Sequence, residues 1–168
     1  MEKQTKSNLR SLQSLGIVFV LFFAMAFSCR DGLKKATTGF NPYKGQLNEL
    51  LKSEISSGVL KFKLVGTEDA DTYPGATEAK AFTYMQEGAG VSIKVDGALA
   101  NYPTAAQAEV ELAVIAKKNK GTLTKKNGGQ RFVTPDGNTV AWTNGSLLSI
   151  VASDFARPAT NFEESAPF

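Results

Sequence analysis

An uncharged apolar run extends from Leu15 to Ser28, ahead of the part of the chain that could form a globular fold. Three basic residues precede the run, an arrangement typical of an export signal. As a helix, its roughly 14 residues would extend about 21 Å, because an α-helix rises about 1.5 Å per residue. The hydrocarbon core of a bilayer is about 30 Å thick, so a permanent transmembrane anchor is left only as an alternative. We therefore expect residues 1–28 to be a signal peptide and the fold to be built from the remaining residues.

The run ends in the sequence Ala26-Phe27-Ser28-Cys29, which resembles the lipobox of bacterial lipoproteins. Members of that family carry a small residue just before a cysteine, and their signal peptidase cuts ahead of that cysteine. The resemblance implies that Cys29 becomes the lipidated first residue of a membrane-anchored envelope protein. In some relatives an Asp after the cysteine causes retention in the inner membrane. Arg30 stands at that place here, which favours the outer membrane.

A second cleavage point leaves a different outcome open. Ala24-Met25-Ala26 matches the small-x-small pattern of ordinary secretory cleavage, which would release a soluble secreted or periplasmic protein. Cys29 is the only cysteine of the chain, so it forms no intramolecular disulfide. An unpaired thiol in an exported chain requires an explanation, and lipidation of Cys29 supplies one.

Composition places the rest of the chain among single, nearly neutral domains. Without the signal peptide, 16 of the 19 basic residues and 15 of the 16 acidic residues remain, a net charge of +1. A domain with so little net charge has no general attraction for nucleic acid, so we expect no nucleic-acid partner. Residues 29–40 show no periodicity and are interpreted as the lipidated cysteine and a tether, which leaves 41–168 as one globular domain.

The periodicity of residues 41–168 predicts an α+β fold. Helical spacing of apolar residues predicts a helix over 42–57, and the capping pair Thr104 and Gln107 predicts another over 104–118. Alternating runs predict three strands between these helices, and three Gly-containing turns predict a four-stranded meander over 122–153. The expected architecture is an antiparallel sheet of six to seven strands with both helices packed on one face. A short helix near 160–165 completes the prediction.

An apolar strip in the meander is a candidate interaction surface. A tight turn at Asn144-Gly145 pairs Trp142 with Leu147 and places Val140 on the same face of the sheet. If the helices cover the other face, these side chains remain available to an envelope protein or a small ligand. The alternative is a core tryptophan in a sheet that is covered on both sides, since strand register is easily displaced by one residue.

Three lysines form a second candidate for the same role. Lys61, Lys63 and Lys94 project from the polar faces of two predicted strands. If those strands are neighbours, the lysines form a basic patch that could meet lipid headgroups or an anionic polymer. The alternative is the ordinary solvated face of a sheet that is buried on one side only.

Catalytic and cofactor chemistry has little support in the sequence. The chain has no histidine, which excludes the usual catalytic triads and most zinc or haem sites, and no nucleotide-binding glycine motif is present. Glu68, Asp69 and Asp71 form the densest acidic group, but their spacing is not that of a calcium loop. We therefore expect no catalytic residue, cofactor or metal.

The leading hypothesis is a non-catalytic envelope lipoprotein that acts as a binding or interaction module. Two other functions stay open. One is an enzyme that uses carboxylate or lysine chemistry on cell-wall or glycan substrates, marked by two convergent acidic side chains with raised pKa values. The other is a structural or lipid-carrying lipoprotein, marked by a deep apolar cavity between sheet and helices.

Overall fold

The computed structural model describes residues 44–88, 91–126 and 128–168. The predicted signal peptide 1–28, Cys29 and the predicted tether 29–40 lie outside these residues. The described residues belong to one compact unit.

An eight-stranded antiparallel sheet forms the framework of this unit. The strand order is β1-β2-β3-β4-β8-β7-β6-β5, so two four-stranded meanders join where β4 pairs with β8. The α+β class is confirmed, but the strand count is eight rather than six to seven. The strands are β1 Glu54–Ser57, β2 Leu60–Asp69, β3 Glu78–Gly88, β4 Val91–Asn101, β5 Thr122–Lys126, β6 Gly129–Val133, β7 Thr139–Asn144 and β8 Leu147–Ser153. The helices are α1 Leu47–Leu50, α2 Ala105–Lys118 and α3 Ala156–Ser165.

The additional strand comes from the segment that was predicted as the helix 42–57. Only the single turn of α1 is helical among its described residues, and β1 follows as a strand that pairs with β2. Gly58, with a φ of 60°, makes the hairpin turn between the two strands. The prediction was wrong because Leu47, Leu51 and Ile55 are all buried, so their spacing shows only that one side of the segment faces the core.

The capping pair correctly predicted α2. The Thr104 hydroxyl accepts a hydrogen bond from the backbone N–H of Gln107 at 3.2 Å and donates one to the Gln107 side chain at 3.0 Å. These bonds satisfy one of the otherwise unpaired N–H groups of the first turn. At the other end, Lys117 and Lys118 lie in the last turn, where the helix dipole favours cations.

The helices lie on opposite faces of the sheet, which corrects the expectation of one helical face. α2 packs on the face that carries Phe132, Ala141 and Leu148. α1 and α3 pack on the other face, where the core contains the side chains of Phe62, Phe82, Tyr84, Val95, Leu99, Val140, Trp142, Val151, Phe162 and Phe168. β7 and β8 are therefore covered on both sides.

The register of β7 and β8 is displaced by two residues from the expected pairing. Trp142 lies opposite Ser149 rather than opposite Leu147, and Gly145 and Ser146 form the turn. Because side chains alternate with a period of two, this displacement leaves every side chain on the face that was predicted for it.

β4 pairs with β3 without interruption through Gly97. The irregularity of this part of the sheet lies in β2, where the register shifts between Leu64 and Gly66. A Cβ atom on Gly97 would overlap the ring of Phe82 and lie 2.6 Å from the carbonyl oxygen of Ile150. Glycine is therefore needed here because the Phe82 ring lies directly on the strand.

We expect Gly97→Ala to lower the free energy of unfolding by about 1–3 kcal/mol, since the added methyl group displaces a buried ring or a strand. The matched control is Gly66→Ala, because a Cβ atom there meets nothing within 4 Å. Urea denaturation of both variants measures the difference. Equal stabilities for the two variants would contradict the close approach of Phe82 to β4.

Candidate functional site

The apolar strip that was predicted as an interaction surface is covered. Trp142 is 7 % exposed, Leu147 5 % and Val140 0 %. The indole Nε1 of Trp142 donates a hydrogen bond to the carbonyl oxygen of Phe168 at 3.0 Å, and the two rings stack with their planes 2° apart. Phe168 thus lies over the strip, which belongs to the core and is not accessible to a partner.

Phe162 of α3 is the centre of the same core. Its ring is fully buried and meets Phe62 edge-on, with 5.2 Å between ring centroids. It stacks on Phe82 at 5.6 Å and lies 5.0 Å from the ring of Tyr84. The aromatic side chains of three strands and the C-terminal segment therefore fill the space between the sheet and α3.

The three lysines lie on the sheet face opposite α3, and all are exposed. β3 separates β2 from β4, so Lys63 and Lys94 flank Met85 instead of being direct neighbours. Each lysine also has an acidic partner: Lys61 pairs with Glu54 at 3.8 Å, Lys63 with Glu87 at 2.9 Å and Lys94 with Asp96 at 2.8 Å. The structure thus places them on a mixed-charge sheet face, which lacks the excess of positive charge that a basic patch would have.

Glu163 of α3 carries the most deeply buried charge of the ion pairs in the described part of the chain. Its side chain is 2 % exposed and accepts two hydrogen bonds from the guanidinium of Arg131, at 2.7 and 2.8 Å. The ammonium of Lys126 lies 2.9 Å from the same carboxylate. Burial alone raises the pKa of Glu163, but the hydrogen bonds from both cations outweigh it and hold the pKa below its usual value. This ion-pair cluster fastens α3 to β5 and β6.

No pattern in the sequence identified this cluster. Glu163 lies 32 residues after Arg131 in the chain, and Lys126 and Arg131 lie on two successive strands, β5 and β6. The register of β6 with β7 explains why Arg131 meets Glu163. Arg131 lies opposite Trp142, so both side chains point toward α3. Strand pairing of this kind cannot be deduced from the residues themselves.

A shallow groove of about 440 Å³ lies beside this cluster on the same face of the sheet. Its lining includes the side chains of Lys120, Thr122, Thr124, Arg131, Val133 and Pro135. Lys120 and the hydroxyl groups of Thr122 and Thr124 suit the anionic or hydroxyl groups of a ligand, whereas the Arg131 guanidinium is already paired with Glu163. The lining residues include no acid, so the groove offers no carboxylate for proton transfer.

Glu111 is a carboxyl group with a raised pKa. Burial is the main cause, and the charge of Lys118 offsets part of it. The nearby phenols of Tyr73 and Tyr102 also have raised pKa values, mainly through burial and partly through the negative charge of Glu111. These groups pack between α2 and the segment before β3, where no second carboxyl with a raised pKa is found among the described residues.

The acidic group predicted from the sequence lies on the surface. Glu68, Asp69 and Asp71 are all exposed, and Asp69 forms an ion pair with Lys80. Within residues 44–88, 91–126 and 128–168, no three His, Cys, Asp or Glu side chains are placed to share a metal ion.

Comparison with known proteins gives no match to a protein-family model, to a curated protein or to a solved structure. Within the described residues, no helix has the length and hydropathy needed to span a membrane.

Proposed function

We propose that this chain is a bacterial lipoprotein, anchored to a membrane of the cell envelope through lipid on Cys29. The position of Cys29 is the observation that carries the proposal. It is the only cysteine, it follows a small residue, and it ends an apolar run that is too short to span a bilayer. Two or three acyl chains on one cysteine would anchor the protein stably, whereas a single chain binds only marginally. We place this anchor in the outer membrane, because Arg30 stands where some relatives carry the Asp that retains them in the inner membrane.

We propose further that the domain is a non-catalytic binding module. The strongest support is the state of its buried acid, since Glu163 is held ionised by two cations that occupy its hydrogen-bonding positions. Glu111 lies near the phenols of Tyr73 and Tyr102, and no second carboxyl of the described residues has a raised pKa, which is a poor arrangement for acid–base catalysis. The groove beside Arg131 and the mixed-charge sheet face remain accessible, and both suit recognition of a polar ligand or a protein.

The anchor is tested by Cys29→Ser in the native cell. We expect the wild-type chain to mature to residues 29–168 with added acyl mass, and to take up a palmitate analogue. The variant should keep the mass of the full precursor and take up no label, because the acyl acceptor and the cleavage point are both removed. Intact-mass measurement of membrane fractions records both properties.

The matched control is Ser28→Gly, which keeps a small residue before Cys29 and should be cleaved and acylated like the wild type. A mature wild-type chain that begins at Phe27 would overturn the proposal in favour of soluble secretion. Detection of the uncut, unlabelled precursor as the stable wild-type product would overturn it as well.

A further inference from the structure

The outer edge of β2 is only half covered. β1 pairs with β2 from Leu60 to Lys63, and the carbonyl oxygen of Ser53 accepts a hydrogen bond from the N–H of Leu64 at 2.9 Å. Beyond Leu64, β2 continues to Asp69 with β3 on its inner side alone. Among the described residues, none forms a backbone hydrogen bond to the outer side of 65–69.

This free edge, residues 65–69, is open to solvent along its whole length. All five residues are exposed, and the side chain of Val65 is 64 % exposed. A Cβ atom placed on Gly66 would meet nothing within 4 Å. An uncovered edge of this kind presents unpaired N–H and C=O groups that can pair with another strand.

The charge of the free edge is negative. β2 ends with Glu68 and Asp69, and Asp71 follows the strand. Of these three acids, Asp69 forms an ion pair with Lys80. The opposite edge of the sheet, β5, carries Lys125 and Lys126 instead. The two edges therefore carry side chains of opposite charge.

We propose that the free edge of β2 binds an extended segment of a partner protein that carries basic side chains at alternate positions. The segment adds as a further antiparallel or parallel strand, so backbone hydrogen bonds supply the affinity. Its lysine or arginine side chains on one face meet Glu68 and the acidic end of the edge, which supplies the preference for a basic sequence. This interaction does not depend on the lipid anchor and goes beyond the binding role proposed above.

The test uses the full-length protein in detergent micelles and a blocked nine-residue peptide in which lysine alternates with threonine. Amide hydrogen exchange, followed by mass spectrometry, reports on segment 65–69 with and without the peptide. We expect slower exchange in 65–69 on addition of the peptide and unchanged exchange at β5. A matched peptide with N-methyl groups on alternate residues keeps the charge but loses backbone donors, and it should give no protection.

Charge is tested separately with the variants Glu68→Lys and Asp154→Lys. Glu68 lies on the free edge, whereas Asp154 is an exposed acid after β8. We expect Glu68→Lys to weaken binding of the lysine peptide by about fivefold, as expected for an exposed ion pair replaced by repulsion. Asp154→Lys should change the affinity by less than about twofold, because it leaves the edge unaltered.

Three results would overturn the proposal. Equal protection by the N-methylated peptide would show that charge alone attracts the probe. Protection of 65–69 before any peptide is added would show that another part of this chain or a second copy already covers the edge. A glutamate-for-lysine peptide that binds as tightly would show that the edge has no preference for basic segments.

Discussion

Phe162→Ala is expected to lower the free energy of unfolding by about 3–5 kcal/mol, the usual cost of removing a fully buried phenylalanine ring. The ring contacts Phe62, Phe82 and Tyr84 at centroid distances of 5.0–5.6 Å, so its removal leaves a cavity bounded by other aromatic side chains. Those neighbours belong to β2 and β3, which also restricts how far the cavity can collapse. Urea denaturation followed by far-UV circular dichroism measures the loss.

The matched control for this prediction is Phe155→Ala, at the start of the same helix. Phe155 is 61 % exposed, so its removal should change the stability by less than about 0.5 kcal/mol. If both variants lose the same stability, α3 does not dock on the sheet through Phe162. If neither variant is destabilised, the aromatic core is not the source of the fold's stability.

Local patterns determined the parts of the fold that could be predicted. The alternation of Leu60, Phe62 and Leu64 with lysines identified β2, because one face of that strand is buried and the other is solvated. The capping residues of α2 identified its start, since a threonine side chain satisfies a backbone N–H within three residues. Both patterns involve only residues of the same helical turn or the same strand.

The prediction of a helix over 42–57 was wrong because burial alone does not distinguish a helix from a strand in a short segment. Ile55 points to the core from a strand, and Leu47 points to the same core from a helical turn. The sequence Ser57-Gly58-Val59 did contain a turn signal, as Gly58 supplies the positive φ of the hairpin. Pairing of β1 with β2 then satisfies backbone groups that a helix would have satisfied internally.

The sequence did not show which helix covers which face of the sheet, although one observation indicated that both faces are covered. Val140 and Trp142 alternate with Ala141, so both faces of β7 are apolar. A strand with two apolar faces needs cover on both sides, which implies helices above and below the sheet. Which helix covers which face depends on connections between distant elements, and local patterns contain no information about those connections.

The interactions of the charged side chains were predicted least well, because they depend on partner residues from other strands and helices. Lys63 was placed correctly on the solvated face, but its pairing with Glu87 follows from the register of β2 with β3. Glu163 was not predicted at all, since nothing near it in sequence indicates that Arg131 will reach it from β6. In both cases strand pairing, rather than local sequence, determines the electrostatics.

Glu163→Gln is expected to lower the free energy of unfolding by about 2–3 kcal/mol at neutral pH. Loss of one partner from a buried ion pair costs about 3–5 kcal/mol. The remaining side chains are partly exposed, Arg131 by 22 % and Lys126 by 36 %, so water relieves part of this cost. Glutamine keeps the shape of the side chain, so the change isolates the charge. The matched control is Glu164→Gln, which alters an exposed neighbour and should stay within about 0.5 kcal/mol of the wild type.

The pH dependence of this difference identifies the carboxylate as its source. The folded-state pKa of Glu163 lies below the unfolded value of about 4.3, so the stabilisation is complete above that pH and is lost as the pH falls through the folded pKa. The wild type should therefore exceed Glu163→Gln by a constant amount between about pH 5 and 7. Below about pH 4.3 the two curves should converge. Denaturation curves recorded across this range test the point, and a difference that persists unchanged at low pH would assign the effect to packing instead of charge.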